Sequence, residues 1–116
     1  MEAGTGWLPF WLERLDEHWE HVPDQAPGID RAPSRYFLDG NCYVTCEPDE
    51  KMVPYVLRAG KPDAVCYASD YCHWDCKFPD TVKILAERDD LEPDEKERVF
   101  ARNAATLYGL DVHVTR

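Results

Sequence analysis

The segment AVCYASDYCHWD, from Ala64 to Asp75, changes character halfway along its length. Its first five residues, Ala64–Ala68, form a short apolar run, which is typical of a buried strand. Directly after this run come Ser69, Asp70 and His73, whose side chains can hydrogen-bond, bind a cation or move a proton. Because α/β proteins build their sites at the carboxyl ends of parallel strands, this segment predicts a site at the end of a core strand.

Length and charge narrow the possible classes of protein. The chain has 116 residues, enough for one domain with a modest core, and its 13 Lys and Arg against 23 Asp and Glu give a net charge of -10. This acidic balance argues against a nucleic-acid partner and against an anionic membrane surface. The sequence has no stretch near the ~20 apolar residues of a membrane span and no signal-peptide pattern at its start. We therefore expect a cytoplasmic protein.

Periodicity and turn residues predict an alternation of helices and strands. The predicted helices cover Leu8–His21, Lys51–Ala59, Pro79–Arg88 and Glu92–Gly109, and the predicted strands cover Asn41–Cys46 and Ala64–Ala68. In the last helix, Val99, Phe100, Ala104 and Leu107 are expected to face inward, and Gly109 is expected to end it. Strands that alternate with helices indicate an α/β fold with parallel βαβ construction. The tail after Leu110 has a strand-like pattern with no predicted place.

The first helix carries a row of large apolar side chains. Trp7, Trp11, Leu15 and Trp19 recur every four residues, while acidic and basic residues face away. Core packing is the favoured interpretation of this row, and a ligand wall or a subunit interface are the alternatives.

The five cysteines are expected to be reduced, because the count is odd and the expected compartment is reducing. Cys42, Cys46 and Cys66 lie in or beside apolar runs and are expected to be buried. The spacings Cys42-x3-Cys46 and Cys72-His73-x2-Cys76 leave a structural zinc site as an alternative. Unrelated reduced cysteines are favoured, since the CxxC spacing of zinc ribbons is absent.

Four segments together resemble one family. They are EAGTGWLPFWLERLDEHWE (Glu2–Glu20), NCYVTCEPDE (Asn41–Glu50), VCYASDYCHWD (Val65–Asp75) and RNAATLYGL (Arg102–Leu110). In this order they resemble the C-terminal part of the amidohydrolase-related proteins, the metal-dependent barrels that include aminocarboxymuconate-semialdehyde decarboxylase. The resemblance implies that residues 1–116 are a partial domain, the C-terminal third of a (β/α)8 TIM barrel, with about its last two to three βα units.

The resemblance also implies roles for three residues. Asp70 would be the catalytic aspartate after the eighth strand, which ligates a divalent metal, usually zinc. His73 and Trp74 would line the pocket and contact the substrate. For His73, support of a metal ligand and a loop histidine bonded to the backbone are the alternatives. The family's other ligands are a His-x-His pair and a His after the fifth strand, and a further catalytic His follows the sixth. None of these has a counterpart at a matching place here, so one copy of the chain is not expected to complete the site.

Other polar residues near the predicted strand ends have simpler interpretations. Glu47 and Asp49 face the same edge as Asp70 and either contact substrate or begin a helix, with the helix start favoured. Asp75 is interpreted as a turn or helix-start residue rather than as a catalytic acid. Ser69 lacks a nucleophile-elbow pattern. His18 and His21 are interpreted as a solvated helix end rather than as metal ligands.

Three functional hypotheses follow. The leading one is the C-terminal fragment of a metal-dependent hydrolase or carboxy-lyase that acts on a small acid, cyclic or aromatic by family analogy, and that is inactive alone. The second is a non-enzymatic remnant or interaction protein, which self-associates through an exposed partial-barrel surface. The third is a small zinc-binding module built on Cys72, His73 and Cys76.

Overall fold

The computed structural model describes residues 3–111. Its elements in chain order are α1 (Trp7–His21), α2 (Pro33–Leu38), β1 (Val44–Cys46), α3 (Val53–Arg58), β2 (Val65–Tyr67), α4 (Thr81–Ala86), α5 (Pro93–Glu97) and α6 (Asn103–Tyr108). Two short 3-10 turns occupy Pro23–Gln25 and Pro62–Ala64, and a π-helical turn at Arg98–Arg102 joins α5 to α6. The alternation of helices and strands agrees with the sequence prediction.

The two strands form a parallel pair, as βαβ construction requires. Val44 lies opposite Val65, Thr45 opposite Cys66 and Cys46 opposite Tyr67. The prediction that the first strand begins at Asn41 is wrong, because only the three residues that face β2 have a ladder partner. The second strand is likewise limited to Val65–Tyr67.

One face of this small sheet carries the core. Alternate side chains of a strand point to opposite faces, so Val44 and Cys46 share a face with Val65 and Tyr67. These four residues belong to or pack against a buried cluster that comes from the helices and from the bend before α5, and that also contains Leu8, Val53, Val56, Leu57, Leu85, Leu91 and Val99. Thr45, which points to the other face, is exposed.

Helix α1 confirms the expected core packing of its tryptophan row for Trp7 and contradicts it for Trp11 and Leu15. Leu8 is the buried residue of α1, and Trp7 and Leu12 pack against the core, but Trp11 is 52% exposed. The reason is that α2 and the core lie against the Leu8 and Leu12 side of α1, which leaves the side with Trp11 and Leu15 open to solvent.

The two middle helices are shorter than predicted. The helix predicted from Lys51 begins at Val53, with Pro54 in its first turn, and ends at Arg58. The helix predicted from Pro79 begins at Thr81, because the Asp80 amide first closes a turn on the Lys77 carbonyl over 2.9 Å. It ends at Ala86.

The last helical segment begins and ends as predicted but changes phase in between. Glu92 and Glu95 form a capping box at its start, and Gly109 adopts a left-handed conformation with φ 63° at its end. Val99 is buried, but Leu107 is 42% exposed, which contradicts the prediction that it faces inward. The π turn at Arg98–Arg102 adds residues to one turn of the helix and so rotates Leu107 away from the core.

The chain is more extended than a closed domain of its size. Its Cα radius of gyration is 16.1 Å, whereas a folded domain of this length has about 13 Å. A sheet of two strands is too narrow to gather the helices around one closed core. Within residues 3–111, no helix combines the length and hydrophobicity needed to cross a lipid bilayer. The strand-like tail of the sequence lies, from residue 112 on, outside the described residues.

Candidate active site

The two strands end side by side at one edge of the sheet. The Ala68 amide donates to the Cys46 carbonyl over 3.0 Å, one residue beyond the last ladder pair. The chain therefore leaves β1 and β2 at neighbouring points, with Glu47 after β1 and Ser69 after β2. This is the carboxyl edge of a parallel sheet, where the sequence predicts a site.

Asp70 lies at this edge and is paired with His73. Its Oδ1 lies 2.8 Å from His73 Nδ1, and its backbone carbonyl accepts a hydrogen bond from the His73 amide over 3.0 Å. Asp70 has φ 55°, a left-handed conformation that aspartate tolerates better than most residues. When the Nδ1–H group of His73 donates a hydrogen bond to the carboxylate, Nε2 is left as an acceptor. Asp70 thereby fixes the orientation of the imidazole.

Further carboxylates surround Asp70, and we call Glu47, Asp49, Asp70 and Asp75 the carboxylate rim. Partial burial and the negative charges of Asp70, Asp49 and Asp75 raise the pKa of Glu47 above its usual range. The structure therefore brings together carboxylates from the loops after both strands. Lys77 Nζ lies 3.7 Å from Asp49 Oδ2 and offsets part of this charge. A rim of this sign attracts cations.

The loop after β1 is held by two long-range contacts. Glu50 Oε1 accepts hydrogen bonds from the Thr5 amide at 2.6 Å, the Thr5 hydroxyl at 2.7 Å and the Gly6 amide at 3.0 Å. A carboxylate is well placed here, because the N-terminus of α1 carries a partial positive charge. Arg88 donates to the carbonyls of Pro48 at 3.2 Å and Glu50 at 2.7 Å.

Neither contact could be predicted from the sequence. Glu50 and Thr5 are 45 positions apart, and no local pattern links them. The interpretation of Glu47 and Asp49 as helix-start residues is wrong, since α3 begins at Val53 with no acidic residue in its first turn. In this loop it is Glu50 that serves a helix start, and the helix is α1.

Residues 1–110 match the sequence model of one protein family, whose description is Amidohydrolase. The chain belongs to the amidohydrolase family. A comparison with curated proteins gives no match. Membership implies a TIM-barrel-type fold and a metal-dependent, hydrolase-like function. The parallel βα units and the carboxylate at a strand end agree with such a fold.

Amidohydrolases generally use divalent metals, so the donors at the rim can be tested against that need. Within residues 3–111, no three side chains of His, Cys, Asp or Glu are arranged to hold one ion. A catalytic zinc usually takes three protein ligands, and Asp70 offers one carboxylate with His73 turned toward it. The described part of this amidohydrolase therefore does not fit a complete metal centre, and we assign no catalytic step to it.

The two predicted substrate contacts lie on the loop after Asp70 and are open to solvent. The His73 side chain is 51% exposed and Trp74 is 95% exposed. Trp74 therefore forms no pocket wall with the residues that the structure describes. Nearby, Tyr71 and Phe78 pack against each other with ring centroids 4.8 Å apart. This loop presents aromatic surface above the carboxylate rim.

The remaining candidates have structural or solvated positions. Asp75 lies in a turn, as predicted, and the Ser69 Oγ accepts a hydrogen bond from the Tyr71 amide over 3.3 Å. Both histidines near the end of α1, His18 and His21, are exposed, and His21 Nδ1 lies 2.7 Å from the Glu17 carbonyl oxygen. These positions agree with a turn and a solvated helix end.

The cysteines divide into buried and exposed groups. Cys46 and Cys66 are buried as predicted, and burial raises the pKa of the Cys46 thiol to about 12. Cys42 is exposed, contrary to prediction, because it precedes the first paired residue of β1. Cys72 is exposed and Cys76 is half-buried, and within the described chain neither belongs to a metal-binding set.

Proposed function

We propose that this chain is the C-terminal part of a metal-dependent amidohydrolase barrel related to aminocarboxymuconate-semialdehyde decarboxylase. In the complete barrel, Asp70 is one ligand of a divalent metal, zinc by family analogy, and the remaining ligands come from strands outside this chain. The substrate class is a small cyclic or aromatic acid, which the complete enzyme hydrolyses or decarboxylates. His73 and Trp74 contact that substrate.

The observation that carries the proposal is the position of Asp70. Its carboxylate stands at the carboxyl end of β2, next to the end of β1, and is 23% exposed. Glu47 directly follows the neighbouring strand β1, and the charge of Asp70 contributes to its raised pKa, which supports the placement of both carboxylates at one edge of the sheet. The carboxyl ends of barrel strands are where amidohydrolase chemistry would be assembled.

The open surfaces of the chain support a partial barrel. Thr45 points away from the helices and is exposed, as expected for a side chain that would face the inside of a closed barrel. On α1, Phe10 is 62% exposed and Trp11 is 52% exposed. We propose that further βα units cover these side chains, and that the isolated chain self-associates through them.

Metal content tests the proposal most directly. We expect the purified 116-residue chain to hold no stoichiometric zinc and to show no metal-dependent turnover of small aromatic or cyclic acids. A version extended upstream to include a strand followed by His-x-His should hold metal and gain activity. In that version, Asp70→Asn should lower metal affinity or activity by at least about a hundredfold, because a direct ligand is lost.

Asp75→Asn is the matched control, since it removes the same charge from the same loop and should leave metal content near that of the parent. Robust metal-dependent activity of the 116-residue chain alone would overturn the proposal. So would an extended chain that binds metal equally well with and without the Asp70 carboxylate.

A further inference from the structure

A cavity of about 260 Å³ lies between α1, α2 and α3, away from the carboxylate rim. Its walls are apolar and come from three separate helices. They include Leu8 and Leu12 of α1, Phe37 of α2 and Val56 of α3. An engineered cavity of about 150 Å³ holds a benzene molecule, so this one has room for a phenyl ring with a short chain.

The polar groups at the mouth of the cavity differ in whether they already have hydrogen-bond partners. Lys61 Nζ donates to the carbonyls of Phe37 and Gly40, so its ammonium already serves the end of α2. Asp16 Oδ1 accepts a hydrogen bond from the Ser34 amide at 2.7 Å, and its Oδ2 has no hydrogen-bond partner among the residues that the structure describes. Glu13 has no hydrogen-bond or ion-pair partner within residues 3–111 and lines the same mouth. The mouth of the cavity therefore has two carboxylates with free oxygens, Glu13 and Asp16, and one ammonium, that of Lys61, whose hydrogen bonds go to backbone carbonyls.

We infer that this cavity binds a small organic cation, an ammonium group on an aromatic or aliphatic body of about phenyl size. The apolar body would fill the space beside Leu8, Leu12 and Val56. The ammonium would lie between Glu13 and Asp16, whose charges the net charge of -10 reinforces. No residue of the rim lines the cavity, so the inference does not depend on the proposed amidohydrolase activity.

Methyl NMR of the full chain tests the inference with three probes of similar shape. They are 2-phenylethylammonium, neutral 2-phenylethanol and anionic 3-phenylpropionate. We expect the ammonium to shift the methyl signals of Leu8, Leu12 and Val56, with saturation at low millimolar concentration or below. The alcohol should bind several-fold more weakly, and the carboxylate should bind most weakly.

Two variants on α1 separate a local charge effect from a general one. Glu13→Gln should weaken binding of the ammonium roughly two- to five-fold, the range for an exposed ion pair. Glu20→Gln removes the same charge from the same helix at a position that does not line the cavity, and it should leave the affinity unchanged. Ala59→Phe, at the exposed end of α3, should fill the space and abolish the shifts.

The inference fails if 2-phenylethylammonium shifts none of these methyl signals at millimolar concentration. It also fails if 3-phenylpropionate binds there as tightly, or if Glu20→Gln weakens binding as much as Glu13→Gln. Shifts confined to residues around Asp70 would place the probe at the rim and would overturn the assignment as well.

Discussion

The carboxylate rim and the region around the last helical segment contain similar numbers of acids in opposite surroundings. In the second region, which we call the arginine-paired region, Arg58 pairs with Glu95, Arg88 with Asp90, Arg98 with Asp63 and Asp94, and Arg102 with Asp94. Hydrogen bonds from these guanidinium groups lower the pKa of Asp90, Asp94 and Glu95. At the rim, the pKa of Glu47 is raised instead.

The difference indicates which acids serve the fold and which remain available. In the arginine-paired region each of the paired carboxylates meets a cation of the same chain. Folding favours the ionised forms of Asp90, Asp94 and Glu95, whose pKa values are lowered. At the rim, like charges gather with little compensation, which costs stability and favours a bound cation. The comparison therefore points to the rim as the chemically available surface, and stability measurements can test the difference between the two regions.

Asn103→Ala should have the largest effect, because it detaches the arginine-paired region from the sheet. Asn103 is buried, and its Nδ2 donates to the carbonyls of Pro62 and Val65, each over 2.7 Å. Loss of both bonds leaves two carbonyls without this donor and should cost about 2–3 kcal/mol of unfolding free energy. Urea unfolding at pH 7 measures this loss of unfolding free energy.

The control for Asn103 is Thr106→Ala on the same helix. The exposed Thr106 hydroxyl donates to the Arg102 carbonyl over 3.0 Å, and its loss should change stability by no more than about 0.5 kcal/mol. Equal effects of the two substitutions would show that the buried amide does not hold the helix on the sheet.

Glu50→Gln should cause the second largest loss of stability, because Glu50 fixes the loop that carries Glu47 and Asp49. The amide keeps one acceptor oxygen but loses the charge at the N-terminus of α1, so we expect a loss of about 1–2 kcal/mol. Urea unfolding should show it beside Glu20→Gln, an exposed change on α1 that should be nearly neutral. A neutral result at position 50 would mean that the loop is held by Arg88 alone.

The smallest effects should have opposite signs in the two regions. The pKa of Glu95 is lowered in the folded chain, so its stabilisation is present above the ordinary value of 4.5 and is lost as pH falls through the lowered one. Glu95→Gln should therefore destabilise at pH 7 by about 0.5–1 kcal/mol, since Arg58 is half exposed.

Glu47 should behave in the reverse way. Its raised pKa means that stability falls as pH rises from the ordinary value of 4.5 through the raised one. Glu47→Gln should stabilise slightly at pH 7, by less than about 0.5 kcal/mol after solvent screening. In urea titrations the Glu47 difference should vanish as pH falls below the ordinary value of 4.5, and the Glu95 difference should shrink as pH falls through its lowered pKa. Destabilisation by Glu47→Gln at pH 7 would contradict the contrast between the regions.

The sequence was most informative where local chemistry determines structure. The alternation of helices and strands, the start of the last helical segment at Glu92 and its end at Gly109 depend on neighbours within a few residues. The position of Asp70 after β2 follows from chain order alone. These features could be predicted because turns, caps and strand ends are local.

Features that depend on distant contacts could not be predicted in the same way. The period of α1 shows that Trp11 belongs to an apolar row, but not which side of the helix the rest of the chain covers. The exposure of Leu107 depends on a π turn that has no clear sequence signal. The carboxylate of Glu50 finds its partners 44 and 45 positions away.

The left-handed backbone at Asp70 restricts how its carboxylate can be probed. With φ at 55°, a longer or branched side chain would strain the main chain as well as move the acid. Replacement by glutamate, the usual conservative exchange, would therefore change both the position of the carboxylate and the strain of the backbone, and the two effects could not be separated. Asparagine keeps both the shape and the tolerance for this conformation, so it is the replacement that isolates the charge.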